Sequence, residues 1–299
     1  MKILLLGKGG QVGWELQRSL APLGELTAVD VDSTDLCGDL TNLEGLRQTL
    51  KQVKPDVIVN AAAHTAVDKA ESEPELAHRI NAAAPALLAQ EASASGAWLV
   101  HYSTDYVFDG SGDAPWEEQD ATGPLSVYGS TKLEGETAIR QSGCKHLIFR
   151  TSWVYGARGG NFAKTMLRLA KDRTQLNVID DQVGAPTGAD LLADITAHAL
   201  RMAANDPQIS GLYHAVASGT TSWHAYASFV IAFARRAGIE LCCETDAIAA
   251  VPTSSFPTPA RRPHNSRLNT RKLCDTFNLT MPAWETGVAR MLTEYLDKS

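Results

Sequence analysis

Ile3-Leu4-Leu5-Leu6-Gly7-Lys8-Gly9-Gly10-Gln11-Val12-Gly13 opens the chain, and the fold class turns on how it is read. A continuous aliphatic run cut off by glycine has no polar face, so residues 3–6 read as a strand buried on both sides. Behind it Val12, Leu16 and Leu20 recur on one face of a helix expected over 12–20. Gly7, Gly10 and Gly13 lie at the junction, spaced by three. Small residues there suit a bound dinucleotide: Gly7 permits the tight turn, Gly10 lets the backbone approach a pyrophosphate, and Gly13 lets the helix close on the sheet. Backbone N–H groups at the helix start then face the negative charge of the ligand.

Outward from this junction the pattern repeats. Short apolar runs at 26–29, 57–59, 98–102 and 147–150 read as strands, and the segments 43–53, 74–95 and 126–140 as helices. Alternation of this kind without hairpin signals predicts an α/β fold, a Rossmann-type doubly wound parallel sheet. Regularity fades in the second half. Helices are expected over 187–202, 225–237 and 282–295, and a strand over 212–217. The stretch 252–266 carries Pro252, Pro257, Pro259 and Pro263, and reads either as a linker or as an ordered wall over a cleft. The expected organisation is a dinucleotide-binding Rossmann domain over 1–150 and a smaller, mainly substrate-binding C-terminal lobe over 151–299. Some segments of that lobe would return to the Rossmann domain.

The 299 residues carry 27 Lys and Arg against 34 Asp and Glu, with no basic block, which argues against a nucleic-acid partner. No stretch of 18 uninterrupted apolar residues suggests a membrane span. The aliphatic run before Gly7 is too short for a signal-peptide core. Five cysteines, Cys37, Cys144, Cys242, Cys243 and Cys274, have no C-x-x-C spacing, so neither a disulfide framework nor a thiolate zinc site is expected. These features together point to a reduced, cytoplasmic protein.

Chemistry-bearing residues fall at the ends of the expected strands. Asp30 follows the second strand by the 23rd position after Gly7, where a carboxylate accepts from an adenosine ribose. Asp39 and Leu40 stand where an adenine contact is possible. A carboxylate at Asp30 favours NADH, while Lys8 in the loop softens that preference, so NADPH and NADH both stay open. Tyr128 and Lys132, four apart near the start of a helix, share one face. An ammonium beside a phenol lowers its pKa from near 10 and makes it a usable acid–base group. Thr104, at the carboxyl end of the preceding strand, lies where open sheets bind ligands, and its hydroxyl can bond a substrate carbonyl while Tyr128 protonates it.

With these residues in place the chain resembles the extended short-chain dehydrogenase/reductases, over nearly its whole length. The carrying segments are Gly7–Gly13, Asn60-Ala-Ala-Ala-His64-Thr65-Ala-Val-Asp68, Tyr102-Ser-Thr-Asp-Tyr-Val-Phe-Asp109, Tyr128–Lys132, Arg150-Thr-Ser-Trp-Val-Tyr155, Gln182-Val-Gly-Ala-Pro-Thr187 and Arg261-Arg262-Pro263-His-Asn-Ser266. The likeness implies reduction of a 4-oxo sugar carried on dTDP, with hydride from NADPH or NADH. It implies Tyr128, Lys132 and Thr104 as catalytic residues. Cofactor contacts would be Gly7, Gly10, Gln11, Val12, Gly13, Asp30, Asp39, Leu40, Ala63, His64, Thr65 and Tyr102, together with Tyr128 and Lys132. Thr104, Asp105 and Trp153 would meet the sugar nucleotide. The same resemblance implies a homodimer built around Mg²⁺ on Glu15, Asp190 and Glu294. An epimerase or dehydratase of the same fold is the alternative, and a non-catalytic NADP-binding regulatory subunit a further one. Thr104 is followed by Asp105-Tyr106, without the second carboxylate of a dehydratase.

Overall fold

The structure, a computed structural model, describes residues 1–297. In the first half, strands β1 (Lys2–Leu6), β2 (Glu25–Val29), β3 (Val57–Asn60), β4 (Trp98–Thr104) and β5 (Lys145–Thr151) alternate with helices. These helices are α1 (Gln11–Leu20), α2 (Leu43–Val53), the short α3 (Val67–Ser72), α4 (Pro74–His78), α5 (Ala84–Ser95) and α6 (Val127–Gln141). All five strands run parallel, and a sixth from the second half, β6 (Gly211–His214), adds to the edge. The sheet order is β6-β5-β4-β3-β1-β2.

Side chains of β1 alternate between two cores, as a strand covered on both faces requires. Ile3 and Leu5 pack with Leu16 and Leu20 of α1, while Leu4 and Leu6 pack with Leu46, Leu50 and Leu88 on the opposite face. All four β1 side chains are buried, each contributing roughly 1.5–3 kcal/mol of apolar burial. Chain order reverses at β1, whose neighbours are β2 and β3. The ligand crevice of an open sheet lies outside the carboxyl ends of the strands at such a point.

The helix expected over 74–95 is continuous but contains a π-helical segment, Arg79–Ala83, between α4 and α5. Pro85 is the cause. It has no N–H to give the Asn81 carbonyl, and the register widens so that Ala84 N–H bonds Arg79 O instead. Helix α6 packs tightly here; a Cβ on Gly135 would come within 2.2 Å of the Asn81 oxygen.

The second half adds α7 (Phe162–Asp172), α8 (Ala189–Ala203), α9 (Trp223–Arg236), α10 (Arg271–Phe277) and α11 (Trp284–Leu296). Helix α8 joins the core under α1, whereas α7, α9 and α11 gather round Tyr226 and Trp284 in an aromatic core of their own. The strand expected over 212–217 ends at His214. Of the two readings of 252–266, the ordered wall is observed: Val183 N donates to His264 O at 2.8 Å, and Ser266 N returns the bond to Val183 O at 2.8 Å. No helix among the described residues is long and apolar enough to cross a membrane.

Candidate active site

The glycine loop closes by contact. Gly7 sits at φ +86°, and a Cβ there would be 2.8 Å from Ala62 N at the end of β3. A Cβ on Gly13 would fall 1.9 Å from Gly7 O, so only glycine lets α1 approach the loop. Gly10 is the N-cap of α1, Gln11 its first residue, and no side chain caps the N–H groups that follow. Val12 packs partly buried against the core. A free helix N-terminus with an unobstructed backbone fits a pyrophosphate.

Around this loop Asp30 accepts from Gly9 N–H at 2.7 Å and from Val31 N–H at 2.8 Å, and Lys8 Nζ reaches Ser33 Oγ at 3.4 Å. The Asp39 carboxylate turns into its own loop, accepting from Thr41 N–H at 2.8 Å, and Leu40 is buried in the core below. Ala63, His64 and Thr65 form a loop outside β3, with Thr65 exposed. Asn81 of the π segment clamps this loop by accepting from His64 N–H at 2.8 Å, donating to His64 O at 3.1 Å, and bonding Thr131 Oγ1 of α6 at 3.2 Å. Sequence reasoning missed Asn81, because nothing local marks it; its one signal is Pro85 four residues on.

Ser126 caps α6 by accepting from Gly129 N–H at 3.2 Å, which aims the first turn of that helix at the end of β4. Tyr128 meets β4 beside Thr104. Burial pushes the phenol up to about 12, the nearby Asp105 carboxylate adds to the shift, and Thr104 opposes it. Lys132, one turn on, reaches β4 two residues earlier. Its Nζ donates to Tyr102 O at 2.6 Å and lies 3.0 Å from His101 Nε2. Burial lowers its pKa to about 8, opposed by Glu136. The expected acidification of Tyr128 by Lys132 is therefore not what the structure shows. Helical spacing puts both side chains on one face, but the longer one is drawn to the β4 carbonyl two residues before Thr104.

Tyr102 contributes its carbonyl to this face; its own hydroxyl points the other way, to Thr196 Oγ1 of α8 at 2.6 Å. Asp105 is buried, and desolvation raises its pKa to about 6, with the nearby Ser266 and Thr104 hydroxyls opposing the rise. The Thr104 hydroxyl donates to Asp105 Oδ1 at 3.0 Å. Trp153 adopts φ +49°, a conformation costing a bulky residue about 1–3 kcal/mol. Its indole stacks on Trp223 with centroids 3.6 Å apart. Trp223 in turn borders a cavity of about 620 Å³ with Tyr106, Gln182, Phe256 and Arg262. Tyr106 packs edge-on against Tyr128 at 5.5 Å, so this cavity adjoins the Thr104–Tyr128 pair.

Glu15, Asp190 and Glu294 do meet, around a separate cavity of about 200 Å³. Each already has an arginine partner: Arg290 pairs with Asp190 at 3.3 Å and with Glu294 at 3.5 Å, and Arg18 with Glu15 at 3.5 Å. Among the described residues no three His, Cys, Asp or Glu side chains are disposed to hold a metal ion. The expected Mg²⁺ set does not fit as arranged, because the three carboxylates turn to arginine partners and do not converge on one point.

A doubly wound sheet, a glycine loop at its switch point and a Tyr–Lys pair facing β4 define a dinucleotide-dependent oxidoreductase of the extended short-chain type. A family profile described as the RmlD substrate binding domain matches residues 1–297, and the chain belongs to that family. It is 64% identical over 294 residues to dTDP-4-dehydrorhamnose reductase of Shigella flexneri, covering 98% of each chain. Among solved structures, a dTDP-4-dehydrorhamnose reductase from Clostridium acetobutylicum superposes with TM-score 0.85 at 36% identity, covering 100% of this chain and 99% of that one. The Bacillus anthracis reductase in complex with NADP gives 0.85 at 33% identity, over 98% and 100%.

Proposed function

We propose that this chain reduces the 4-oxo group of dTDP-4-dehydro-L-rhamnose to dTDP-L-rhamnose, using NADPH or NADH. The observation that carries the reading is the placing of Tyr128 beside Thr104 at the carboxyl end of β4, the end of the sheet that also carries the glycine loop. A reduced nicotinamide held in this crevice would supply the hydride that the sugar carbon needs. Gly7, Gly10 and Gly13 with the start of α1 would hold its pyrophosphate, and Asp30 its adenosine ribose.

Tyr128 delivers the proton. A phenol held up near 12 stays protonated at neutral pH, yet an alkoxide forming on the sugar is more basic still, so the transfer runs downhill. Thr104 orients the phenol and offers the reacting oxygen a second hydrogen-bonding group. Lys132 brings a positive charge to the wall of the crevice, where it favours loss of the Tyr128 proton, though less than direct contact would. Asp105 and the strained Trp153 line the sugar's path, and the 620 Å³ cavity receives the nucleotide. Residues 151–299 act mainly as the substrate-binding lobe in this reading. A homodimer and a cytoplasmic setting belong to the same proposal, and sedimentation tests the first.

The test offers purified protein the dTDP-linked 4-oxo sugar with each reduced cofactor and follows loss of absorbance. One cofactor oxidised per sugar is expected; conversion without net oxidation would mean epimerisation and would overturn the reading. Tyr128→Phe should lose about 10²–10⁴-fold in turnover with cofactor affinity unchanged. Unchanged turnover would remove Tyr128 from the mechanism.

A further inference from the structure

Asn60, His101 and Lys132 form a buried polar chain beneath the proposed site, each only 1% exposed. Asn60 ends β3, and His101 lies opposite it in the β3–β4 register. Asn60 Oδ1 accepts from Ala62 N–H at 3.2 Å, which leaves its amide nitrogen 3.2 Å from His101 Nδ1. The other ring nitrogen, Nε2, lies 3.0 Å from Lys132 Nζ. The ring thus lies between a side chain of the neighbouring strand and α6, and Nε2 is the nitrogen that faces the Lys132 donor. Burial and the Lys132 charge hold the ring's pKa well below its ordinary value, so it stays a neutral imidazole, able to accept on one nitrogen.

Among the described residues no other side chain hydrogen-bonds the amine. Glu136, one turn further along α6, is committed to Arg150 in a buried two-point pair at 2.9 and 2.7 Å. An ammonium has three donors. Tyr102 O and His101 Nε2 take two, and one remains for a ligand in the crevice. Lysine has a long flexible stem, whereas the imidazole is a rigid, buried ring anchored on β4.

We propose that His101 is a positioning residue for the reaction: fixed on β4, its imidazole holds the Lys132 nitrogen against the Tyr102 carbonyl and so aims the remaining donor at the bound cofactor. The proposal rests on the roles given above to Tyr128 and Lys132. Three variants of the full chain, His101→Leu, His101→Gln and His101→Asn, test it with NADPH saturating. Gln reaches Lys132 with an acceptor; Asn carries the same group one methylene too short. Loss of aim should cost kcat about tenfold or more in the Leu and Asn variants, with KM for the sugar nearly unchanged. Gln should keep kcat within about threefold of the parent, with a melting temperature like that of Asn. Equal kcat for Gln and Asn, or a Leu variant within about twofold of the parent, overturns the proposal. If the Leu variant does not fold, the Gln–Asn comparison decides alone. Lys132→Met and Tyr128→Phe are measured alongside. Retained turnover in those two would bring down the underlying mechanism, whereas their loss beside a flat His101 series would remove only the role of His101.

Discussion

At Asp105, stability and the proposed chemistry pull in opposite directions. Its carboxyl is buried, and its pKa of about 6 in the fold stands above the ordinary 3.8. Folding therefore opposes its ionisation. That penalty is absent below the ordinary value, grows as pH rises through about 6, and is complete above. A shift of about two units corresponds to at most about 3 kcal/mol. Asp105→Asn should raise the melting temperature at pH 7.5, leave it nearly unchanged at pH 4, and lower turnover as the charged contact with the sugar is lost. An equal gain at both pH values would show that packing, not ionisation, is responsible. Single residues were unevenly legible. Tyr128, Lys132 and Thr104 could be found from spacing and strand ends, but the partner of Lys132 could not, because helical spacing gives a direction and says nothing of which strand atoms lie there. His101 reads as one more residue of a buried strand until Asn60 and Lys132 are seen on either side of it.

Elements came through where local physics governs them. The β1–glycine–α1 junction is read from eleven consecutive residues because turn, helix start and close packing are all short-range demands. The same closeness gives a prediction for the element. In Gly13→Ala the new methyl would sit 1.9 Å from Gly7 O, a backbone atom that cannot rotate away, so α1 must lift from the sheet. Overpacking of this kind costs about 1–3 kcal/mol. Displacing the helix N-terminus should also weaken NADPH binding, followed by cofactor fluorescence, by about tenfold or more. A variant that loses stability yet binds cofactor as well as the parent would show that the loop does not need α1 at its present height. The π segment was not legible. Pro85 announces a lost hydrogen bond, but whether a helix answers with a break, a kink or a widened turn depends on α6 packing across it, and Gly135 lies far along the chain.

Across the whole molecule, the wall over the crevice depends on a contact between residues 194 positions apart, which no local pattern could reveal. Arg262 spans both oxygens of Asp68, Nη1 to Oδ1 at 3.1 Å and Nη2 to Oδ2 at 2.7 Å, and Ala260 N–H adds a third bond to Oδ1 at 3.2 Å. Asp68 belongs to α3, just outside β3, so the pair ties the proline-rich wall to the nucleotide-binding sheet. Arg262 also borders the 620 Å³ cavity. The pair is partly exposed, so its worth to global stability is about 1 kcal/mol or less. Its worth to geometry is larger, since releasing Arg262 frees one side of the proposed sugar-nucleotide site. Asp68→Asn should therefore raise KM for the dTDP sugar several-fold, with kcat and cofactor affinity little changed and the melting temperature down by only a few degrees. Arg262 holds the Asp68 carboxyl below its ordinary range, so the parent's KM should stay low as pH falls to about 4 and rise only below it, where protonation breaks the pair. High salt should reproduce part of the Asn effect in the parent and none in the variant. A KM indifferent to both the substitution and salt would show that the wall keeps its place without this pair, and the search for what closes the site would move to the backbone bonds between Val183 and residues 264–266.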